Sequence, residues 1–430
     1  MSWAVSWSVR GSWRALLAAP PGGGADLATL DGLRMHRDTD VLLVSNSTLM
    51  VQAFFLMSSF LLANKLLQQR RRQQTLKPFS TFVEIMINRI IRMSPTYFVV
   101  VWFAASGWAR GGSGPLWAPL VGAEAAVCRD KWWTHLLYLN NIIYPDDKCL
   151  IQTWYLAADM QLYCCALLLT LALWRVRRGA LYVLAALLVG CVLLVFALAY
   201  VWELVPTFVL HRPEAVRALY RGEASFNVLY QSPLGNAPGA LVGLLLAHLH
   251  HELRDRHVQL NNYTWFRWAA WWAPWLALAW VSFSPRMAGA AEGGAPGRMA
   301  VAALAAGERA VFALLVAIAL LGAMHGVNSP VRRVLSWNGW AVLARLSFGA
   351  LLLHMIINKS LLGSQIAPIQ LDRQQVILEW FGVSVASYLA ALPLALLVEL
   401  PVQRLYRALR DPPPVSAPTP SPAPADKNHS

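Results

Sequence analysis

The chain has 430 residues, of which 57% are hydrophobic and only 13% are charged, and its mean hydropathy is +0.45. Too few charged side chains remain to cover a water-facing surface, so the composition excludes ordinary soluble domains and indicates lipid as the solvent. The formal net charge of +14 does not indicate nucleic-acid binding, because Lys and Arg cluster in short loops between apolar runs, as they do in membrane proteins.

Residues 1–29 form an N-terminal segment that lacks a clear signal-peptide core. Apolar runs of roughly 20 residues, enough to span a bilayer, then recur along the chain. We interpret nine runs as spans: 48–67, 94–110, 151–174, 180–203, 236–253, 265–285, 299–324, 338–361 and 375–400. Only helices satisfy all backbone groups within one segment in lipid, so residues 30–405 are predicted to form an all-α, polytopic transmembrane helical bundle with about nine spans.

The orientation of the predicted bundle follows from its basic loops. The densest basic cluster, at residues 65–77, follows the first run and is assigned to the cytosol. Alternation then places the 111–150 and 204–232 loops outside, the N-terminus outside and the C-terminus inside. Residues 411–430 are rich in Pro, Ala and Ser, and they are predicted to be a disordered cytosolic tail. Cys128 and Cys149 flank a Trp-rich part of the outer 111–150 loop, where the oxidising compartment would allow a disulfide.

Charged residues within spans normally face the bundle interior, so each polar group in an apolar run is a candidate site residue. Arg89 and Arg92 share a helical face within FSTFVEIMINRIIRM, an amphipathic stretch predicted to lie along or enter the interface. They are expected at the cytosolic boundary, just before Pro95. There they would either snorkel to lipid headgroups or bind the phosphates of a cytosolic donor.

The 151–174 run carries a polar stripe, because Gln152, Tyr155, Asp159 and Tyr163 fall on one helical face while Gln161 points away from it. Asp159 could be a structural ion-pair partner for an embedded arginine. Alternatively, it could organise a polar cavity and carry protons.

Later runs carry further polar residues. Ser347, His354 and Asn358 align on one face of the 338–361 run, with Arg345 on another face; His354 could be a hydrogen-bonded core histidine or a proton carrier. Glu399 closes the last run. The adjacent Glu308 and Arg309 are interpreted as local charge compensation near a helix end, and His248, His250 and His251 lack the carboxylate or cysteine that a zinc site needs, so no metal is predicted.

Several stretches, by their order and spacing, make the chain resemble a known family over residues 29–405. They are LDGLR at 30–34, FFLMSSFLL at 54–62, RIIRMSPTY at 89–97, LLYLNNI at 136–142, QTWYLAADMQLY at 152–163, ARLSFGALLLH at 344–354 and VELP at 398–401. The family is the acyltransferase-3 membrane family, in particular its animal nose-resistant-to-fluoxetine branch.

The resemblance implies a multi-pass enzyme that moves an acyl group from a cytosolic acyl-CoA donor to a lipid, glycan or other hydroxylated acceptor. Membrane lipids and a small-molecule or lipid substrate would be its partners, without a metal, in the plasma membrane or the endoplasmic reticulum. Alternatives are a translocator of lipids or drugs without chemistry, or an inactive partner subunit. On the resemblance, His354, Asp159 and Ser347 would be catalytic and Arg89 and Arg92 would bind the donor, while the other motif residues are Trp154, Tyr155, Gln161, Arg345 and Glu399.

The chain also departs from the family pattern. LDGLR continues into the polar MHRDTDVLLVSNS, so the family's first membrane helix and its histidine are missing, and His36 is no substitute. The Cys-rich domain that usually precedes the membrane part of the animal branch is not seen either. These departures predict impaired activity and an open bundle wall through which polar groups such as Asp159 would face lipid.

Overall fold

In the computed structural model of the chain, residues 47–72, 77–176, 179–206, 215, 218–287, 297–366 and 373–410 are described. All regular structure in these ranges is helical, which confirms the all-α prediction. The N-terminal segment, LDGLR, His36 and the Pro-rich tail lie outside the described residues.

Twelve α-helices are described in these ranges, and short 3-10 or π turns join several of them. They are α1 Val51–Arg71, α2 Pro78–Ser106, α3 Ala123–Leu136, α4 Trp154–Ala172, α5 Ala180–Val201, α6 Pro233–Asp255, α7 Thr264–Met287, α8 Arg298–Met324, α9 Pro330–Leu335, α10 Trp340–Gly363, α11 Arg373–Leu394 and α12 Leu400–Arg410.

Five segments in the described part of the chain are long and apolar enough to cross a membrane: Ile151–Arg175, Ala180–Val201, Arg298–Met324, Trp340–Gly363 and Ile377–Arg410. They correspond to five of the nine predicted spans. The other four predicted spans coincide with α1, the second half of α2, α6 and α7, which are helical but less apolar. The number nine therefore stays a prediction.

A close seam joins α1 to α6, and glycines make it possible. A Cβ on Gly243 would lie 2.3 Å from the Leu56 carbonyl oxygen, and one on Gly239 would lie 2.6 Å from Oε1 of Gln52. Small residues four apart allow two membrane helices to approach this closely. Gln52 Nε2 also donates to Asn236 Oδ1 across the same seam, at 2.6 Å.

Helix α2 is longer than the sequence predicted, because the amphipathic stretch and the second apolar run form one helix of 29 residues that continues through Pro95. At ~1.5 Å per residue this helix is about 43 Å long. Its first half leaves Phe79, Ile87 and Ile90 exposed on one side. Near its start, Glu84 and Asn88 bind Arg410 of α12, so the stretch is packed against another helix.

Residues 123–150, which comprise α3 and the loop after it, form an outer cap on the side that the basic loops assign to the exterior. Cys128 and Cys149 are joined by a disulfide with a Cα–Cα distance of 4.8 Å. Lys131 Nζ donates to the carbonyl oxygens of Asn140, Tyr144 and Asp147 at 3.0, 2.5 and 2.8 Å. The cap is therefore tied to its own helix by a covalent bond and by a buried ammonium group.

A buried ion pair fixes the outer cap to the rest of the bundle. Lys359 of α10 donates to Glu124 of α3, and both side chains are almost fully enclosed. Glu124 also accepts a hydrogen bond from the backbone N–H of Leu150, at 2.9 Å. Because the partners are far apart in the chain, no local pattern in the sequence indicated this contact.

Candidate functional site

The centre of the site is an ion pair between Arg89 of α2 and Asp159 of α4. Arg89 Nη2 donates to Asp159 Oδ2 and also to Ser58 Oγ of α1, the latter at 3.0 Å. The ring of Tyr163, one turn beyond Asp159, stacks with its centroid 3.7 Å from the guanidinium carbon. Three helices and an aromatic face therefore hold this central ion pair.

The central ion pair lies deep in the bundle. The side chains of Arg89 and Asp159 are only 17% and 5% exposed. Arg89 is ~16 Å along α2 from its start at Pro78, by the rise of an α-helix. The structure therefore favours the ion-pair interpretation of Asp159 over headgroup snorkelling by Arg89, and the placement of Arg89 at the cytosolic boundary stays a prediction.

Enclosure of Asp159 also contradicts the prediction of an open bundle wall. Its side chain is covered by α2 and by α1, and it does not face the lipid. A carboxylate in a membrane protein is stabilised when it is paired and hydrogen-bonded away from hydrocarbon. In the described part of the chain, the wall around Asp159 is closed.

The predicted stripe begins at Gln152 in the 3-10 turn before α4, continues along α4 and faces the other helices of the site. Gln152 Nε2 donates to the Leu352 carbonyl oxygen of α10 at 2.9 Å. The Tyr155 ring lies 5.1 Å from the ring of Phe55 on α1. With Asp159 and Tyr163 on Arg89, the stripe therefore contacts α10, α1 and α2 in turn.

Arg92 and Glu399 extend the site away from the central ion pair. Arg92 is exposed, but it lies close enough to interact electrostatically with Tyr163 and with Glu399. Glu399, in the turn between α11 and α12, accepts a hydrogen bond from Gln403 at 3.1 Å. Among the four predicted charged site residues, Arg89 and Asp159 are in direct contact, and Arg92 and Glu399 interact with each other electrostatically.

Gln161 faces the opposite side of α4, as predicted, and it binds the loop of the outer cap. Its Nε2 donates to the Tyr138 carbonyl oxygen at 2.8 Å and to Asn141 Oδ1 at 2.9 Å. The Tyr138 hydroxyl reaches Ser94 of α2 at 2.9 Å. Tyr138 and Asn141 were missed as site residues, although both lie in the LLYLNNI stretch that carried part of the resemblance.

The α10 site residues Ser347 and His354 form hydrogen bonds with the backbone of their own helix. His354 is buried and its Nδ1 donates to the Leu351 carbonyl oxygen at 2.6 Å, while Ser347 Oγ donates to the Ala344 carbonyl oxygen at 2.8 Å. Arg345 is exposed. Both hydrogen bonds stay within α10.

Two further predictions concern Trp154 and Arg309. Trp154 is buried with its ring 4.8 Å from that of Tyr230, which makes it a packing residue at the start of α4. Arg309 lies mid-way along α8 and donates to the Leu229 carbonyl oxygen and, at 3.1 Å, to Asn236 Oδ1. The interpretation of Glu308 and Arg309 as charge compensation near a helix end is therefore wrong for Arg309, which joins α8 to α6.

A cavity of about 310 Å³ lies in the outer cap, away from the central ion pair, and is lined by Val127, Asp130, Lys131, Trp133, Tyr144 and Asp147. Burial lowers the pKa of Lys131 to about 8, against the opposing effect of Asp147 and Asp146. Within the described ranges, no group of three or more His, Cys, Asp or Glu side chains could hold a metal ion.

Comparison with known proteins gives one family and one curated relative. The sequence profile of the type-3 family described as "Acyltransferase domain" matches residues 15–396. The chain is 26% identical over 337 residues to Nose resistant to fluoxetine protein 6 of Caenorhabditis elegans, an alignment that covers 73% of this chain and 39% of that protein. The chain therefore spans about two fifths of the length of this relative. No solved structure matches it significantly.

Proposed function

The chain belongs to the acyltransferase-3 family and to its nose-resistant-to-fluoxetine branch, and from that membership we propose that it is an integral-membrane acyltransferase. The proposed reaction moves an acyl group from an acyl-CoA-type donor to a lipid, glycan or other hydroxylated acceptor. The observation that carries the proposal is the enclosed central ion pair, which places a guanidinium group beside a carboxylate inside the bundle.

Arg89 retains capacity to bind a donor oxygen. Its Nη2 is occupied by Asp159 and Ser58, but its Nε is buried and has no hydrogen-bond partner in the described part of the chain. An unsatisfied buried donor destabilises the protein by about 1–3 kcal/mol, which an incoming phosphate or carbonyl oxygen would recover. Arg92, further along the same helix face, adds a second positive charge on the side of Glu399.

Asp159 orients Arg89 in this proposal. As a carboxylate it only accepts hydrogen bonds, and its bond to the guanidinium group holds Arg89 against Ser58 and Tyr163. A carboxylate committed to an arginine is a weak proton acceptor, so general-base catalysis is assigned to another residue.

We assign proton transfer to His354. Donation from Nδ1 to the Leu351 carbonyl fixes the neutral imidazole in the tautomer whose lone pair is on Nε2. Gln152 binds Leu352, two residues before His354, and so links the α4 stripe to the helix that carries the histidine. In the proposed step the acceptor oxygen attacks the thioester carbonyl, the C–O bond forms and the C–S bond breaks. The hydroxyl proton passes to His354 and then to the departing thiolate.

The test is transfer of a labelled acyl group from acyl-CoA in membranes that contain the chain. The Arg89→Ala, Arg92→Ala double variant should lose at least about a hundredfold in transfer, because two charged contacts to the donor are removed. The matched control is Arg404→Ala, Arg407→Ala, an exposed arginine pair at the same spacing on α12. If transfer by the first variant equals transfer by the control, the donor assignment is wrong.

A second candidate function is translocation of a lipid or small molecule without chemistry. The observation that favours it is the same central ion pair, since either member of a buried ion pair can release the other and bind a charged transported molecule instead. Vesicle uptake that depends on Asp159 and consumes no acyl donor would support the translocator. Transfer without uptake would support the enzyme.

The proposed location is a membrane of the secretory pathway, either the endoplasmic reticulum or the plasma membrane. The Cys128–Cys149 disulfide supports it, because such bonds persist in the oxidising lumen or outside the cell. Microscopy of a tagged chain, with an antibody that reaches the outer cap without permeabilisation, would separate the two membranes.

A further inference from the structure

The cavity of about 310 Å³ in the outer cap takes no part in the proposed reaction. Ligand cavities in proteins measure about 300–1,000 Å³, so this one has room for a lipid headgroup or a small molecule but not for a whole lipid. One face of α3 forms part of its wall, and the loop after α3 contributes Tyr144 and Asp147. Tyr144 is 65% exposed, so the cavity is open at the surface of the cap.

The wall of the cavity is held in place by the cap itself. Lys131 Nζ donates to the carbonyl oxygens of Tyr144 and Asp147, which ties the loop to α3. The Cys128–Cys149 disulfide closes the same loop. These contacts hold Tyr144 at a φ of +50°, a conformation that a tyrosine rarely adopts. A wall that is ordered in advance lowers the entropy cost of binding a ligand.

Two aromatic side chains that line the cavity, Trp133 and Tyr144, are free to contact a ligand. In the described part of the chain, neither ring stacks on another aromatic ring or on a cation, and neither side chain forms a hydrogen bond. The face of an aromatic ring attracts a positively charged group, and tryptophan does so most strongly. The two rings therefore offer binding surfaces for a cationic group.

The carboxylates around the cavity differ in what they already bind. The charged groups that line or border it are Asp130, Asp146, Asp147, Lys131, Lys148 and Arg221. Asp147 pairs with Arg221 at 3.3 Å, and Asp146 accepts a hydrogen bond from Asn227 at 3.0 Å. Asp130 is exposed and has no ion pair or hydrogen bond within the described ranges. Asp130 is therefore the carboxylate that can bind a cationic group of a ligand.

Lys131 does not make the cavity an anion site. An ammonium group has three protons, and Lys131 donates to three backbone carbonyl oxygens, so no proton remains for a ligand. The three carboxylates and three cations around the cavity also balance in charge. A free ion therefore gains little from the net field, whereas a neutral ligand that carries a local ammonium group can place it beside Asp130 and the rings.

An exposed apolar surface adjoins the cavity. Trp132, Trp133 and Leu136 are exposed on α3, and their spacing places them on one face of the helix. Leu137, directly after α3, is exposed as well. Arg129 lies one turn before the two tryptophans, is exposed, and has no ion pair in the part of the chain that the structure describes. The face therefore combines apolar side chains with one available guanidinium group.

The outer leaflet of the membrane is the surface that covers this face. The candidate span Ile151–Arg175 begins directly after the cap, and Trp102 and Phe103 are exposed in the predicted span 94–110 that precedes it. Exposed tryptophans beside the ends of spans are typical of the lipid–water interface, where their rings lie among the headgroups. Headgroups of the outer leaflet are therefore within reach of the cavity.

We propose that the outer cap binds a phospholipid with an ammonium headgroup, such as choline or ethanolamine, from the outer leaflet. The ammonium group occupies the cavity, against Trp133 and Tyr144 and beside Asp130. Arg129 binds the phosphate, and the acyl chains follow the apolar surface at Leu137. This site is separate from the central ion pair. The inference does not depend on acyl transfer, and its test contains no acyl donor.

The experiment measures the binding of three phospholipids to the purified, detergent-solubilised full chain by native mass spectrometry. Phosphatidylcholine and phosphatidylethanolamine carry the ammonium group. Phosphatidylglycerol is the matched control, because it has the phosphate and the acyl chains but no ammonium group. The chain should bind phosphatidylcholine or phosphatidylethanolamine about fivefold more tightly than phosphatidylglycerol. This comparison uses the unaltered chain, so it does not depend on the folding of any variant.

Variants then locate the site. Trp133→Ala and Asp130→Asn should each weaken the binding of phosphatidylcholine by about fivefold and leave that of phosphatidylglycerol unchanged. The matched control is Trp265→Ala, which removes an exposed tryptophan of α7. Arg129→Gln should weaken the binding of all three lipids alike, because all three have the phosphate.

Three results would overturn the proposal. The first is phosphatidylglycerol that binds as tightly as the two lipids with an ammonium group. The second is equal binding of phosphatidylcholine by Trp133→Ala and Trp265→Ala. The third concerns the source of the ammonium group: tetramethylammonium that binds the chain as tightly as phosphatidylcholine would assign the cavity to a free cation instead of a lipid.

Discussion

The most direct test of the site is to remove the carboxylate from the central ion pair with Asp159→Asn. The substitution preserves the shape of the side chain but leaves Arg89, which is 17% exposed, without its counter-charge. The matched control is Asp147→Asn, which breaks an ion pair with Arg221. The side chains of Asp147 and Arg221 are 52% and 67% exposed.

The two pairs should differ in energy because they differ in burial. Removing one partner of a buried ion pair costs about 3–5 kcal/mol, and the partial exposure of Arg89 favours the lower end. An exposed pair contributes about 0–1 kcal/mol. In a chain of this length, a loss of 1 kcal/mol in the free energy of unfolding lowers Tm by no more than about 2 °C. Asp159→Asn should therefore lower Tm by roughly 5 °C and Asp147→Asn by less than about 2 °C.

The assay is thermal unfolding of the detergent-solubilised chain, followed by the fluorescence of its 20 tryptophans. Because replacing a buried pair with apolar residues is close to neutral, the double variant Arg89→Met, Asp159→Leu should recover most of the lost Tm. Equal Tm values for Asp159→Asn and Asp147→Asn would refute the argument. So would a double variant less stable than Asp159→Asn alone.

Three further predictions concern the outer cap. Cys128→Ser should lower the free energy of unfolding by about 3 kcal/mol, seen as a lower Tm under non-reducing conditions, since it opens the loop closed by the disulfide with Cys149. Lys131→Met should leave three carbonyl groups without their donor and so loosen the loop of the outer cap. An added thiol should then reduce the Cys128–Cys149 disulfide faster in Lys131→Met than in the control variant Lys148→Met. Burial lowers the pKa of His135 to about 3, with a smaller contribution from Lys131. Below pH ~6.5 the unfolded chain therefore binds a proton at His135 that the folded chain does not bind. The free energy of unfolding should fall by roughly 1.4 kcal/mol per pH unit as the pH is lowered from ~6.5 towards 3. A His135→Gln variant with the same pH-dependent Tm as the wild type would contradict this last prediction.

Local patterns in the sequence predicted those features that depend on local structure. Hydropathy identified α4, α5, α8, α10 and the α11–α12 region, because apolar runs need no knowledge of a partner. It could not reveal that α2 continues through Pro95. Proline normally interrupts or kinks a helix, so the sequence favoured a break at this position, whereas the structure has one helix through Pro95.

The site was predictable to the extent that helical periodicity could place its residues. Spacing alone put Gln152, Tyr155, Asp159 and Tyr163 on one face, and the structure gives each a contact on that face. Pairs between distant segments were beyond this reasoning. Glu124 and Lys359 are separated by 235 residues, and nothing near either of them in the sequence indicates its partner.

The close seam between α1 and α6 has a consequence for biosynthesis. Gln52 and Asn236 are 184 residues apart, so at about 5–20 residues per second α1 leaves the ribosome roughly 10–40 s before its glycine-lined partner exists. During that interval the nascent segment must be sheltered by lipid, by the insertion machinery or by a chaperone. The slow event in the maturation of this protein is therefore expected to be the arrival of α6, and any pause in translation before it would prolong the vulnerable state.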